Sequence, residues 1–91
     1  MNTKKLFIKN LDASTSASEI ESLFSIYGDV DKVKINHGKG LGFVEMTSIS
    51  EARRVREKLD GATLWGRSME IHNISSSLKN RLIYAFSRFF G

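Results

Sequence analysis

Two phenylalanines hold the positions with most to offer a ligand. Phe7 stands between Lys5 and Lys9, and Phe43 stands between Leu41 and Glu45 in the stretch KGLGFVEM, Lys39 to Met46. In an extended chain residues i, i+2 and i+4 share a face, so each ring shares its side with the residues two places away. The chemistry on offer is non-covalent recognition, because apolar surface shown to water usually marks a binding surface. Catalysis finds no support. No nucleophile stands beside a base, no paired carboxylates share a loop, and no glycine-rich phosphate cradle precedes a helix. Cysteine is absent, which excludes disulfides, thiolate metal sites and thiol catalysis. With two histidines, His37 and His72, a protein-only metal site is not expected, and neither is a cofactor. Fourteen Lys and Arg against ten Asp and Glu leave a formal charge of +4, a bias toward polyanions that many unrelated basic domains share.

The elements that position these residues follow from periodicity. Lys5 to Asn10 alternates, with Leu6 and Ile8 on one side and Phe7 and Lys9 on the other, as in a half-buried strand. Ser16 and Glu19 form a capping box, and Ile20, Leu23, Phe24 and Tyr27 recur at helical spacing until Gly28 offers a stop. Val30 to Ile35 alternates again, with Val33 and Ile35 toward the core and Lys32 and Lys34 away. In the turn Asn36-His37-Gly38, Gly38 is expected to supply the positive φ of a tight hairpin leading to a strand over Gly40 to Met46. Ser48 and Glu51 form a second capping box, Ala52, Val55 and Leu59 give an apolar stripe, and Asp60-Gly61 ends the helix. A last strand is expected over Ser68 to Ile74, with Met69 and Ile71 inward and Glu70 and His72 outward.

The order is therefore βαββαβ, an α+β chain of one domain, since 91 residues hold one core. Right-handed crossovers make the first and third strands central neighbours. Two helices with one apolar stripe each cover one face of a four-stranded sheet and leave the other open. Lys5, Phe7, Lys9, Leu41, Phe43 and Glu45 lie on that open face by parity. Gly42 is expected to pack closely against a helix. A slip of one residue would instead place both rings in the core, although Leu6, Ile8, Gly42 and Val44 suit the core better.

On these residues the chain resembles a known family. LFIKNL, Leu6 to Leu11, is similar to the hexapeptide, and KGLGFVEM to the octapeptide, of the RNA recognition motif. LDGATLWGR, Leu59 to Arg67, resembles that family's linker before the last strand, and the likeness spans roughly residues 4 to 74. It implies a ferredoxin-like sandwich with a four-stranded antiparallel sheet in the order 4-1-3-2. It also implies binding of single-stranded RNA by stacking on strand-one and strand-three aromatics. Phe7 and Phe43 would be the platforms and Lys39 a phosphate contact, with Lys5, Lys9 and Lys34 adding positive field. His72 would stack on or hydrogen-bond a base at the sheet edge, unless it is an exposed strand histidine with no role. A start Met and one compact domain make the chain most similar to the small one-domain bacterial members.

Departures from the family pattern matter too. Leu41 replaces the first aromatic of the octapeptide and Met46 the last. Each stacked base is worth ~1–3 kcal/mol, so losing the platform at Leu41 predicts weaker binding, and a short hairpin loop predicts low specificity. Glu45 and Glu70 offset part of the lysine field, which leaves modest, salt-sensitive affinity as the expectation. Single-stranded DNA stays open as an alternative ligand, because stacking does not distinguish the sugars. His37 and Asn10 read as turn residues, Trp65 as a lid over the core, and Arg53, Arg54 and Arg56 as a basic patch or a solvated helix face.

Residues 1–74 form the expected domain, and 75–91 a serine spacer followed by an amphipathic helix. Within LKNRLIYAFSRFFG, Leu78, Leu82, Ala85, Phe86 and Phe89 fall on one side at helical spacing. The helix would dock on its own domain, cross the open sheet in competition with RNA, or hold a protein partner or second copy. A protein-interaction module acting through residues 78–91 is thus the alternative to an RNA binder. Membrane contact is not expected, and the segment is too short to span a bilayer. MNTKKLFIKNL lacks an apolar run with a cleavage site, so a cytoplasmic location is expected.

Overall fold

The computed structural model describes residues 3–74, and the expected spacer and helix over 75–91 lie outside them. The elements are β1 (Lys5–Lys9), α1 (Ala17–Phe24), β2 (Val30–Asn36), β3 (Leu41–Met46), α2 (Ile49–Leu59), β4 (Thr63–Leu64), β5 (Arg67–Ser68) and β6 (Glu70–Asn73). Antiparallel pairing gives the sheet order β2-β3-β1-β6. Since β6 is the expected last strand, the anticipated order and ferredoxin-like topology hold.

The core forms on the side away from Phe7 and Phe43. Leu6 and Ile8 of β1, Val44 and Met46 of β3 and Ile71 of β6 meet Ile20 and Phe24 of α1 and Ala52, Val55 and Leu59 of α2. Val33 and Ile35 pack against this cluster from β2, and so does Val30. Val33 lies three positions after Val30, an offset that strict alternation would send to the opposite face. A register shift between Val30 and Lys32 resolves the conflict, since one extra residue restores the inward side.

Both helices begin as expected, with one asymmetry. The Ser16–Glu19 capping box is complete. At α2 only half forms: Ser48 Oγ accepts the Glu51 amide at 3.2 Å, while the Glu51 carboxylate accepts from the Thr47 hydroxyl at 2.6 Å and the Asp29 amide at 3.0 Å. These bonds hold the Glu51 carboxyl below its ordinary value of 4.5, the Thr47 hydroxyl acting most strongly, then the Asp29 amide, with Arg54 adding attraction. Helix α1 stops at Ser25 rather than at Gly28. A Cβ on Gly28 would stand 2.8 Å from that of Glu51, so this glycine serves close packing against α2.

Three further expectations are corrected. Positive φ in the β2–β3 connection belongs to Gly40, at +63°, rather than to Gly38. Gly42 packs against side chains of Leu11 and Ile35, where a Cβ would meet carbons at 3.0 and 3.1 Å, and not against a helix. Trp65 is no lid. It is 56 % exposed, at the tip of a β4–β5 hairpin that the single expected strand did not include. Trp65 and Gly66 both have positive φ there, 53° and 75°, the backbone of a tight two-residue turn. The Trp65 indole N–H donates to Glu19 Oε2 at 2.9 Å, which ties the hairpin to α1.

Candidate nucleic-acid interface

Cross-strand register assembles the candidate residues on the sheet face opposite the helices. Lys34 of β2 lies opposite Phe43 of β3, Phe43 opposite Phe7 of β1, and Phe7 opposite His72 of β6. One row across four strands therefore reads cation, ring, ring, imidazole, with directly opposed Cβ atoms ~4.5–5.5 Å apart. On one side of it lies a second row in which Glu45 stands between Lys32 and Lys5. On the other side Leu41 pairs with Asn36, and Lys9 with Glu70. Lysine ammonium groups outnumber the two carboxylates, but each carboxylate is interleaved among them, so the field is weaker than the lysines alone would produce.

Exposure separates the two rings. Phe43 is half-buried, as are Leu41 and Glu45, while Lys5, Lys9, Lys34 and Lys39 are exposed. Phe7 departs from the expectation of an open ring, being only 5 % exposed. It nevertheless stands outside the core cluster. A ring on a central strand with a bulky neighbour on each side loses its edges to both, and Phe7 has Phe43 and His72 there. The His72 side chain keeps 46 % exposure, with Nε2 3.5 Å from Glu70 Oε1.

The loops at the end of β1 are braced rather than loose. Gly40 O accepts the Leu11 amide at 2.9 Å, and His37 Nδ1 lies 3.2 Å from Ala13 O. Lys39 is thus held between two anchors on a short 3-10 turn (His37–Lys39). Asn10, at φ 67°, donates through Nδ2 to Ser68 O at 2.9 Å and accepts from Arg67 Nη2 at 2.6 Å. Its strand-end role holds, and Arg67 places a further cation near Lys9. Sequence reasoning also missed Lys32 as a member of the site, although its alternation with Lys34 already placed both on one face. Arg53, Arg54 and Arg56 are exposed on α2, away from this surface; Arg54 donates to Tyr27 O and Arg56 to Ile71 O, bonds that belong to the scaffold. Among the described residues no three His, Asp or Glu gather as metal ligands, and no helix is long and apolar enough to cross a membrane.

A βαββαβ sandwich with helices on one face and an aromatic row across the two central strands of the other defines a compact sheet-surface binding module. Residues 6–70 match the RNA recognition motif family, and the chain belongs to that family. It is similar to the human splicing factor, proline- and glutamine-rich, at 33 % identity over 93 % of this chain and 14 % of that protein. The C. elegans NONO-1 homodimer superposes with a TM-score of 0.74 at 25 % identity, covering 93 % of this chain and 39 % of that one. RNA Binding Protein PG1 does so with a TM-score of 0.73 at 26 % identity, over 79 % of this chain and 94 % of that one. The chain thus spans about a seventh of the splicing factor.

Proposed function

We propose that this chain binds single-stranded RNA, stacking a base on Phe43 and drawing phosphates to Lys5, Lys9, Lys32, Lys34 and Lys39. The observation that carries this reading is the single cross-strand row of Lys34, Phe43, Phe7 and His72. Family membership supports it, as does the likeness to a solved RNA-binding protein. Affinity is modest and sequence preference slight, because Leu41 offers no π face and Glu45 and Glu70 dilute the field. Single-stranded DNA is a second ligand on the same platform, since rings stack on bases of either sugar. A cytoplasmic location is carried as part of the proposal. Self-association through residues 78–91 is carried beside it, supported by the homodimer in which NONO-1 was solved.

The test is titration of fluorescent random-sequence RNA oligomers with wild type and Phe43→Ala at two salt concentrations. Losing one stacked base is expected to weaken binding about tenfold. For the wild type, log K should fall with log salt by roughly 0.7 per phosphate engaged. Equal affinities would remove the platform.

A further inference from the structure

Asn10 holds an exposed cation in place without neutralising it. Its backbone has φ 67°, a left-handed conformation that asparagine accepts more readily than most side chains. From there its amide serves two partners at once: Nδ2 donates to Ser68 O at 2.9 Å, and Oδ1 accepts from Arg67 Nη2 at 2.6 Å. An aspartate could not donate to the carbonyl, and its charge would cancel that of the guanidinium. The neutral amide orients Arg67 and leaves its charge intact. Arg67 is exposed, and no carboxylate among the described residues forms an ion pair with it. A guanidinium carries five N–H donors, so the bond to Asn10 leaves most of them for a ligand.

We propose that Arg67, positioned by Asn10, takes a phosphate of the bound strand beyond the end of β1, which extends the footprint past the sheet. This rests on the RNA-binding reading above and adds a contact to it. Backbone pairing places the cation. Asn10 follows Lys9, the last residue of β1, and the next amide, that of Leu11, donates to Gly40 O beside Lys39. Consecutive residues therefore tie the end of β1 to Arg67 on the β6 side and to the turn carrying Lys39 on the β3 side. Lys39, Lys9 and Arg67 form an arc of cations round one end of the sheet, across roughly two strand spacings, or ~10 Å. The nearest carboxylate in the strand register, Glu70 opposite Lys9, lies 3.5 Å from His72 Nε2. A planar guanidinium meets phosphate through two parallel N–H bonds, whereas an ammonium acts as a point charge. Arg67 thus fixes the path of a backbone that the lysines attract.

The experiment titrates fluorescent random-sequence RNA oligomers, at several salt concentrations, with the full chain and its Arg67→Gln, Arg67→Lys, Asn10→Gly, Asn10→Gly/Arg67→Gln and Phe43→Ala variants. Unfolding midpoints near that of wild type keep loss of contact apart from loss of fold. Arg67→Gln should weaken binding about three- to fivefold and lower the slope of log K against log salt by about 0.7. Arg67→Lys should keep the slope and lose affinity, because the charge stays and the fork goes. Asn10→Gly keeps the left-handed backbone and removes the amide. It should weaken binding about two- to threefold in otherwise wild-type protein and change nothing where Arg67 is already glutamine. Unchanged affinity and slope in Arg67→Gln, with Phe43→Ala weakened, would overturn the contact and leave the stacking reading standing. An equal loss from Asn10→Gly in both backgrounds would overturn the positioning. A lowered slope in Arg67→Gln with Phe43→Ala unaffected would uphold the phosphate contact and place the failure in the stacking reading.

Discussion

Gly40→Ala probes the connection that holds Lys39 at the rim of the platform. Gly40 has φ 63° and ψ 35°, a conformation that costs an L side chain about 1–2 kcal/mol. A Cβ there would lie 2.7 Å from the Leu11 carbonyl oxygen, a main-chain atom that cannot rotate aside. Relieving the contact moves the backbone and strains the bond from the Leu11 amide to Gly40 O, worth about 1 kcal/mol. The expected loss is roughly 2–3 kcal/mol, which lowers the unfolding midpoint by about 10–20 °C in a domain of this size. Gly38→Ala is the control. Its φ lies outside the left-handed region, and the nearest atom to its Cβ is Asn36 Oδ1 at 3.6 Å, so a change within about 0.5 kcal/mol is expected. Thermal and urea unfolding followed by far-UV circular dichroism measures both. A greater loss for Gly38→Ala than for Gly40→Ala would refute this account of the turn.

Two further outcomes concern the scaffold. The Glu51 carboxyl is held below its ordinary 4.5 in the folded chain, so its contribution to stability is fully present above that value and fades as pH falls toward the lowered one. Urea midpoints between about pH 6 and pH 3 should drop less steeply in Glu51→Gln than in wild type, and parallel curves would show that Thr47 and Asp29 do not hold the charge. Thr15 is fully buried with no hydrogen-bond partner for Oγ1, which makes the hydroxyl a cost of about 1–3 kcal/mol. Thr15→Val should stabilise by about 1 kcal/mol with the denaturant slope unchanged, and a destabilised variant would mean that the hydroxyl has a partner.

What the sequence made legible was set by local rules. Alternation in Lys5 to Lys9 and Leu41 to Met46 assigned the two faces of the central strands, because a one-residue slip would bury Lys5 and Lys9 and expose Leu6 and Ile8. Ser16 with Glu19 and Ser48 with Glu51 marked both helix starts. Features decided by distant contacts stayed hidden. Whether Gly38 or Gly40 adopts positive φ depends on the Leu11 carbonyl nearly thirty residues earlier in the chain. Trp65 reads as a lid over the core from its place in the linker, yet its indole N–H is bonded to Glu19 on another element. The β4–β5 hairpin was missed because Thr63–Leu64 and Arg67–Ser68 are two residues each, too short to show a period.

The same division explains why the pairing of Phe7 with Phe43 was legible in the sequence and the exposure of Phe7 was not. Register is a property of parity and pairing, so two strands and a turn suffice to place Phe43 opposite Phe7. Accessibility is a property of everything that reaches the face, and no pattern within Leu6 to Leu11 records it. With Phe7 only 5 % exposed and Phe43 half-buried, the ring on β3 is the more open of the two, a difference that parity alone does not make.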